Sequence, residues 1–191
     1  MMIKSAEWQK MLAGHPYNAA DPALVAARRR CRQIYQTFNS GHPEGDALLE
    51  ELLGSRGQHC NIHAPFFCDY GCHIHVGENF YANVGCILID VCEIQIGQNV
   101  LLGPNVQIYT AGHPIAVAPR IAGEEFGKPV QIGDNVWIGG GSILCPGVSV
   151  GDHSVIGAGS VVTCDIPAGV IAVGNPCRVL RAMTDEELAG V

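Results

Sequence analysis

The chain has 191 residues, of which 48% are hydrophobic and 15% charged, and its formal net charge at pH 7 is −7. This length predicts one domain with a small accessory segment. The negative charge, without any basic stripe, argues against a nucleic-acid partner and against an anionic membrane surface. The N-terminus lacks the apolar core of a secretion signal, and no apolar run could span a bilayer, so we expect a cytoplasmic protein that does not bind membranes.

Two helices are predicted near the N-terminus. Asp21 followed by Pro22 is typical of a helix N-cap and first helical position, and this pair opens a helix that continues to about Phe38. Residues 41–43, Gly-His-Pro, break that helix. A second helix is predicted over about residues 44–53, ending at Gly54.

From about Asn61 the chain follows a six-residue period, which is clearest over residues 130–165 in the rows VQIGDN, VWIGGG, SILCPG, VSVGDH, SVIGAG and SVVTCD. An α-helix cannot keep this period, because its 3.6 residues per turn would move the apolar stripe around the axis. The pattern predicts an all-β solenoid, a parallel β-helix whose open end the two helices cap. One aliphatic residue recurs at the same phase of each row: Ile132, Ile138, Leu144, Val150, Ile156 and Val162.

Two interruptions and a tail complete the predicted organisation. The spacing from Leu88 to Ile96 is eight rather than six, which predicts a bulge near Asp90, and the apolar pattern lapses over about residues 111–129, which predicts a loop excursion. Loops on a rigid scaffold often carry function. Thr184 and Glu187 form a capping-box pattern for a short helix. We therefore expect a helical cap at 1–58, the β-helix at 59–180 and a short C-terminal helix at 181–191.

Nine cysteines are scattered along the chain without any CxxC pair. In a cytosolic protein such cysteines are interpreted as small buried hydrophobic residues. The one mixed cluster, residues 68–75, contains Cys68, Cys72, His73 and His75. We expect both histidines on one outward strand face, and we predict no metal site.

The chain resembles the maltose and galactoside O-acetyltransferases of the hexapeptide-repeat acyltransferases. The resemblance rests on MLAGHPYNAADPALVAARRR near the start, CDYGCHIHVGENFYAN, the loop IYTAGHPI and the stretch GKPVQIGDNVWIGGG, and the maltose-type branch fits best. It implies a left-handed β-helix, a homotrimer and sites for acetyl-CoA and a sugar between subunits. It also implies transfer of the acetyl group from acetyl-CoA directly to a sugar hydroxyl, with the β-helix as the catalytic domain and the cap contributing to the acceptor site.

The resemblance assigns two catalytic residues. His113, in the TAGHP loop, aligns with the family's catalytic histidine, and a neutral imidazole suits removal of the hydroxyl proton near pH 7. Asn83 aligns with an active-site asparagine, although a plain corner asparagine is the alternative. The candidates for the acceptor pocket are Tyr81, Asp69, Asp90, Arg28 and Glu125.

The alternative interpretation of Arg28 is a charged residue on an exposed helix face. Asp90 lies in the bulge, where it could accept hydrogen bonds from sugar hydroxyls. Glu125 is a candidate partner for His113 or for the acceptor. The galactoside branch has an acidic residue at the position of Val91, which argues against a galactoside preference here.

Residues 139–141, Gly-Gly-Gly, leave room for the pantetheine arm of CoA along the coil, and the Gly140 N–H could donate to a developing oxyanion. The family often has a lysine at the position of Cys164, so phosphate binding is left to two arginines. The CoA-binding candidates are Trp137, Gly140, Ala158, Thr163, Arg178 and Arg181.

Two other functions share this fold. A γ-type carbonic anhydrase needs three metal-binding histidines, and the expected His-x4-His pair is absent from the sequence. A non-catalytic hexapeptide scaffold would not need His113, Asn83 and the triple glycine together. The acceptor itself stays open among maltose, glucose, galactosides and oligosaccharides.

Overall fold

A computed structural model describes residues 5–189. Its helices are α1 (Ala6–Leu12), α2 (Pro22–Asn39), α3 (Gly45–Leu52), α4 (Val117–Ile121) and α5 (Asp185–Ala189). The strands, numbered in chain order, form three long sheets and one short antiparallel sheet. The short sheet consists of β1 (Tyr17–Asn18), β10 (Ala111–Gly112) and β11 (Glu124–Gly127).

The three long sheets are the flat faces of a parallel β-solenoid, as predicted, and the solenoid has about six coils. Face one contains β4 (Ile74–Val76), β7 (Ile94–Ile96), β12 (Val130–Ile132) and β15 (Ser149–Val150). Face two contains β2 (Cys60–Ile62), β5 (Phe80–Ala82), β8 (Leu101–Leu102), β13 (Trp137–Ile138), β16 (Val155–Ile156), β18 (Val170–Val173) and β19 (Arg178–Ala182). Face three contains β3 (Phe67–Cys68), β6 (Ile87–Ile89), β9 (Gln107–Tyr109), β14 (Ile143–Leu144) and β17 (Val161–Val162).

The six-residue period fixes which side chains fill the coil. Each coil pairs in register with the next, so Ile132 lies between Ile96 and Val150 on face one. The aliphatic side chains that recur at the same phase of each row are all buried, with at most 3% of their surface exposed: Ile132, Ile138, Leu144, Val150, Ile156 and Val162. Burial of this continuous aliphatic column stabilises the solenoid, because each buried methylene contributes about 0.8 kcal/mol.

A ladder of side chains runs along the corner between faces one and two. Asn79, Asn99 and Asn135 all have positive φ, and each Nδ2 group donates to the side chain in the next coil, at 2.8 Å, 2.8 Å and 3.3 Å. Asparagine tolerates this left-handed conformation better than most residues. The last member is His153, whose φ is 60° and whose Nδ1 is the final acceptor.

We expect His153→Asn to raise the free energy of unfolding by about 0.5–1 kcal/mol, because asparagine suits the left-handed backbone and offers a better-placed acceptor to Asn135. The thermal midpoint should rise by about 1–3 °C. His153→Ala is the matched control and should lower the midpoint, since alanine keeps the strained φ and removes the acceptor. A lower midpoint for His153→Asn than for wild type would contradict this interpretation of the ladder.

The predicted cap helices are confirmed. The Asp21 side chain caps α2 by accepting hydrogen bonds from the backbone N–H groups of Ala23 and Leu24, at 3.0 and 3.3 Å. Buried side chains of α2 and α3 join the solenoid core cluster. Helix α1 was not predicted, and its Trp8 and Met11 are buried in a second cluster against the outside of the coil.

The excursion at residues 111–129 leaves the coil where predicted but has its own structure. The Lys128 N–H donates to the Thr110 carbonyl at 2.8 Å, which closes the base of the excursion. Strands β10 and β11 then form a hairpin with α4 at its tip, and β11 also pairs with β1. This pairing fastens the excursion to the N-terminal segment.

The tail differs partly from the prediction. Residues 178–182 form β19, which folds back antiparallel on β18 before the short helix α5 begins. The capping box is confirmed, since the Glu187 N–H donates to Thr184 Oγ1 at 3.2 Å and the Thr184 N–H donates to Glu187 Oε2 at 2.8 Å. Within residues 5–189, no helix is both long and apolar enough to cross a membrane.

Candidate active site

His113 directly follows β10 at the base of the excursion, and its ring is exposed. Its Nδ1 atom lies 3.1 Å from the carbonyl oxygen of Glu124 on the paired strand. A carbonyl oxygen can only accept a hydrogen bond, so Nδ1 carries the proton in the neutral imidazole. This tautomer leaves the Nε2 lone pair free to accept a proton.

Glu125 lies between Tyr17 and His113 in the short antiparallel sheet. Tyr17 is the cross-strand partner of Glu125, and the Gly112–Phe126 pairing, continued by one residue, places His113 on the other side. The hydrogen bond that Glu125 makes is with Tyr17, whose hydroxyl donates to Oε2 at 2.7 Å. Burial and the Glu125 carboxylate raise the pKa of Tyr17, so the tyrosine stays protonated and donates.

Arg28 reaches the coil from helix α2. Its guanidinium donates to the Tyr70 hydroxyl at 2.5 Å and to the Ala19 carbonyl at 2.6 Å, and it lies 5.6 Å from the centre of the Tyr70 ring. These contacts fix the arginine against the coil, whereas a solvated helix-face charge would be mobile.

Asp69 is half-buried beside Arg28. Burial raises the pKa of the Asp69 carboxyl, Arg28 opposes that rise, and Glu125 adds to it. Arg28 and Glu125 therefore both act electrostatically on the Asp69 carboxyl. We refer to Arg28, Asp69, Tyr70 and Glu125 as the polar corner, which lies where face three meets face one.

The structure corrects the prediction for Asp90. Its side chain is fully buried, and its carboxylate oxygens accept backbone N–H hydrogen bonds from Asp69, Tyr70 and His73. Burial raises the pKa of Asp90 to about 8, although these donors oppose the rise. A direct contact between Asp90 and an acceptor is therefore wrong, because the bulge turns this carboxyl inward.

His73 is also buried rather than outward-facing, and its Nδ1 lies 2.7 Å from the Asp90 carbonyl oxygen. It precedes β4 at the bulged corner and so does not share the strand alternation of His75. Cys68 has the Cys31 sulfur at 3.5 Å. Among residues 5–189, no three His, Cys, Asp or Glu side chains are arranged to hold a metal ion.

Asn83 and Tyr81 lie in a different place from His113. Tyr81 points outward from face two, where its ring centre is 5.2 Å from that of His63. Asn83 starts the corner between faces two and three, and its Oδ1 accepts the Val84 N–H at 2.8 Å. One side of the coil, roughly 15–20 Å for six extended residues, separates this corner from the one that carries His113. A single chain therefore does not bring Asn83 and His113 together.

Three of the CoA-binding candidates follow face two and the corner after it. Trp137 projects outward from β13, and Gly140 and Ala158 lie at that corner in successive coils. A side chain at Gly103 would come within 2.5 Å of the Gly140 nitrogen, so the coils are tightly stacked here. Within the described part of the chain, no backbone carbonyl accepts the Gly140 N–H.

The remaining three candidates lie towards the end of the solenoid. Thr163 is exposed at the corner after face three, and Arg178 reaches the neighbouring Cys164 sulfur at 3.8 Å. Arg181 is exposed and forms a two-pronged ion pair with Glu187, at 2.7 and 2.8 Å. Arg178 and Thr163 are thus brought near one another, whereas Arg181 is already paired.

Sequence reasoning missed two residues of this region. Tyr70 follows Asp69 directly, and its hydroxyl is the contact that fixes Arg28. Tyr17 stands within the N-terminal segment that carried the resemblance, but its partner Glu125 is 108 residues away. No local sequence pattern could have predicted this pair.

Two protein-family models match parts of this chain. The family model described as the maltose acetyltransferase hexapeptide capping motif matches residues 10–57, and the bacterial transferase hexapeptide model, with six repeats, matches residues 129–164. The structure of a maltose O-acetyltransferase from Clostridium difficile 630 is 52% identical, with a TM-score of 0.92, and the match covers 95% of this chain and 99% of that one.

Two further relatives match over nearly their whole length. The structure of a galactoside acetyltransferase in complex with coenzyme A is 38% identical, with a TM-score of 0.92, and the match covers 96% of this chain and 94% of that one. Nodulation protein L from Rhizobium meliloti is 49% identical over 90% of this chain and 96% of its own. The chain therefore belongs to the maltose and galactoside O-acetyltransferase family of the hexapeptide-repeat acetyltransferases.

Proposed function

We propose that this acetyltransferase moves the acetyl group of acetyl-CoA to a hydroxyl of a sugar, with His113 as the general base. The observation that carries this proposal is the Nδ1 contact of His113 with the Glu124 carbonyl, which leaves Nε2 as the proton acceptor. The named acceptors of the relatives, maltose and galactoside, and the coenzyme A bound in one of them support the same chemistry.

In the proposed reaction Nε2 of His113 removes the acceptor proton as the hydroxyl oxygen attacks the thioester carbonyl carbon. The N–H of Gly140 donates to the oxyanion that forms. The tetrahedral intermediate then collapses, the carbon–sulfur bond breaks, and the imidazolium returns the proton to the departing CoA thiolate. No acyl-enzyme is formed, and all atoms and charges balance within the ternary complex.

The polar corner is the proposed acceptor site. Arg28 supplies donors and Asp69 and Glu125 supply acceptors, which is the mixture that the hydroxyls of a sugar require. Val91 is buried in the second core cluster and brings no acidic side chain to the pocket. This favours a maltose or glucose type of acceptor over a galactoside.

The proposed catalytic unit is a homotrimer, because Asn83 and His113 lie at different corners of the solenoid, in successive coils. The apolar surface supports association. Ile115 and Ile121 of the excursion are 93% and 80% exposed, and Leu101 and Trp137 on face two are 48% and 54% exposed. Seating the excursion of one copy against face two of the next buries both sets, and three-fold closure leaves no copy unpaired.

An acceptor screen tests the function. Purified protein and acetyl-CoA are combined with maltose, glucose, a thiogalactoside, a non-sugar alcohol or an amino acid, and release of the CoA thiol is followed. We expect a sugar to raise the release rate well above that of acetyl-CoA hydrolysis, and mass spectrometry should detect the acetylated sugar. A rise with the amino acid alone, or with no acceptor in the panel, would contradict the proposal.

Direct transfer also predicts that no cysteine carries the acetyl group. Burial raises the pKa of the half-buried Cys145 thiol, which lowers its fraction of reactive thiolate at neutral pH. We expect Cys145→Ala and Cys164→Ala to keep at least about a tenth of wild-type turnover, since neither thiol takes part. Loss of activity in a folded Cys145→Ala variant, together with an acetyl adduct on wild-type Cys145, would establish a ping-pong route instead.

A further inference from the structure

Asp90 is a buried carboxyl group with an unusual set of partners. Its Oδ1 accepts the N–H groups of Asp69 and Tyr70 at 3.0 and 2.8 Å, and its Oδ2 accepts the N–H of His73 at 3.3 Å. Other carboxylates that accept backbone N–H groups between coils, such as those of Asp134 and Asp152, lie nearer the surface. A buried carboxyl group needs hydrogen-bond donors to offset its loss of hydration, and these three backbone N–H groups supply them for Asp90.

The segment that Asp90 holds carries half of the polar corner. Residues 69–73 connect β3 to β4, and their first two members are Asp69 and Tyr70. Tyr70 in turn accepts a hydrogen bond from Arg28. By accepting both N–H groups, Oδ1 of Asp90 fixes the backbone of Asp69 and Tyr70. It thereby sets the positions of the Asp69 carboxylate and of the Tyr70 hydroxyl that Arg28 contacts.

We propose that Asp90 is a positioning residue for the acceptor: it sets the places of Asp69 and Arg28 by accepting the two N–H groups of the corner. This inference rests on the proposed function, in which these two residues bind the sugar. The relevant property of Asp90 is its oxygen acceptor, and its charge is not required. The donor site lies on other coils and faces, so its affinity for acetyl-CoA should not depend on Asp90.

The experiment compares Asp90→Ala with Asp90→Asn. Alanine removes the oxygens that accept the backbone N–H groups, so residues 69–73 lose their fixed position. We expect kcat/KM for the sugar to fall at least about tenfold, as when a hydrogen bond to a charged group is misplaced. Asparagine keeps one oxygen for the Asp69 and Tyr70 N–H groups and loses only the contact with the His73 N–H, so it should restore kcat/KM to within about threefold of wild type. The KM for acetyl-CoA should stay within about twofold in both variants.

Asp134→Ala is the matched structural control. Its carboxylate also serves a neighbouring coil, accepting the Gln98 N–H at 2.9 Å and the Gln98 side-chain amide at 3.2 Å, but it lies at another corner. We expect a lower thermal midpoint without a change specific to the sugar. If Asp134→Ala lowered the sugar kcat/KM as much as Asp90→Ala, a general loss of stability would explain both results and overturn the inference.

A double-mutant cycle separates positioning from an independent contribution. When Asp69→Asn has already weakened the acceptor contact, adding Asp90→Ala should cost less than it costs in the wild type, because the two changes act on the same contact. Multiplicative losses would overturn the inference. If Asp90→Ala does not fold, Tyr70→Phe tests the Arg28 branch without touching the buried carboxyl, and it should produce the same sugar-specific loss. An unchanged sugar kcat/KM in Tyr70→Phe would refute that branch.

Failure of the proposed function gives a different result from failure of this inference. If wild type acetylates no sugar, or if Asp69→Asn and Arg28→Lys both leave the sugar kcat/KM unchanged, the acceptor site itself is wrong, and the role of Asp90 is refuted with it. If those variants lose activity while Asp90→Ala keeps wild-type kcat/KM, only the positioning role is refuted.

Discussion

Replacing His113 by alanine should lower kcat for sugar acetylation by about 10²–10⁴-fold, the usual contribution of a positioned proton transfer. A sugar hydroxyl is too weak an acid to ionise unaided, so attack on the thioester stalls when the proton has no acceptor. The KM for acetyl-CoA should change little, because the proposed donor contacts, Trp137, Gly140 and the tail arginines, are untouched.

The measurement is a steady-state comparison of wild type and His113→Ala in the same oligomeric state, with CoA binding followed separately by calorimetry. His42→Ala is the matched control, since His42 is also exposed but lies in the break between α2 and α3. It should keep full activity. A kcat for His113→Ala within threefold of wild type would mean that another base operates.

Two inactive variants should restore activity to each other when they share a trimer. If the site takes His113 from one copy and Asn83 from the next, His113→Ala and Asn83→Ala chains place one intact site in every mixed ring. In a three-fold ring with two chains of one kind and one of the other, one of the three sites receives both native residues. Mixed trimers should therefore have about a third of wild-type activity.

Co-expression with two different tags and tandem purification isolates these mixed trimers, and sedimentation verifies their size. As a control, differently tagged His113→Ala chains purified together should stay inactive. The double variant with both changes on one chain, paired with His113→Ala, should also stay inactive. Mixed trimers no more active than either parent, or full wild-type activity in a monomer of 20.3 kDa, would place the site within one chain.

The solenoid could be predicted because its information is local and repeated. Each row carries an inward aliphatic residue, as at Ile138 and Ile156, and every third row adds a corner glycine followed two residues later by an asparagine or histidine, as at Asn135 and His153. The start of α2 could be predicted equally well, since Asp21 and Pro22 stabilise the helical turn that directly follows them. Because every coil repeats the same pattern, a row that departs from it can still be assigned from the rows before and after it.

The short sheet could not be predicted, because its pairing joins Tyr17 to Glu125 across more than half of the chain. The lapse of the apolar pattern over residues 111–129 indicated only that the coil was interrupted. Helix α1 was missed for a related reason: Trp8 and Met11 are buried by a surface that exists only after the coil has formed. Long-range packing of this kind leaves no period in the sequence.

The same contrast between local pattern and long-range packing applies to the site residues. The bulge at Asp90 was predicted from a spacing of eight residues, but the direction of its side chain was not, because spacing reports the number of extra residues and not which way they point. Arg28 was left between two interpretations until Tyr70 supplied its partner. The separation of Asn83 from His113 follows from counting corners, which requires the folded coil.

The bulge at Asp90 and the excursion at residues 111–129 interrupt successive coils at the same edge, where face three turns into face one. Chain inserted there loops outwards and rejoins the next strand without shifting any rung, so the register β4–β7–β12 survives both insertions. An insertion at this edge therefore leaves the pairing of the coils intact, whereas the tightly stacked glycines at the corner after face two leave no room for added side chains. The proposed acceptor site thus lies at the edge that tolerates insertions, and a change of length there would leave the proposed donor site at the corner after face two undisturbed.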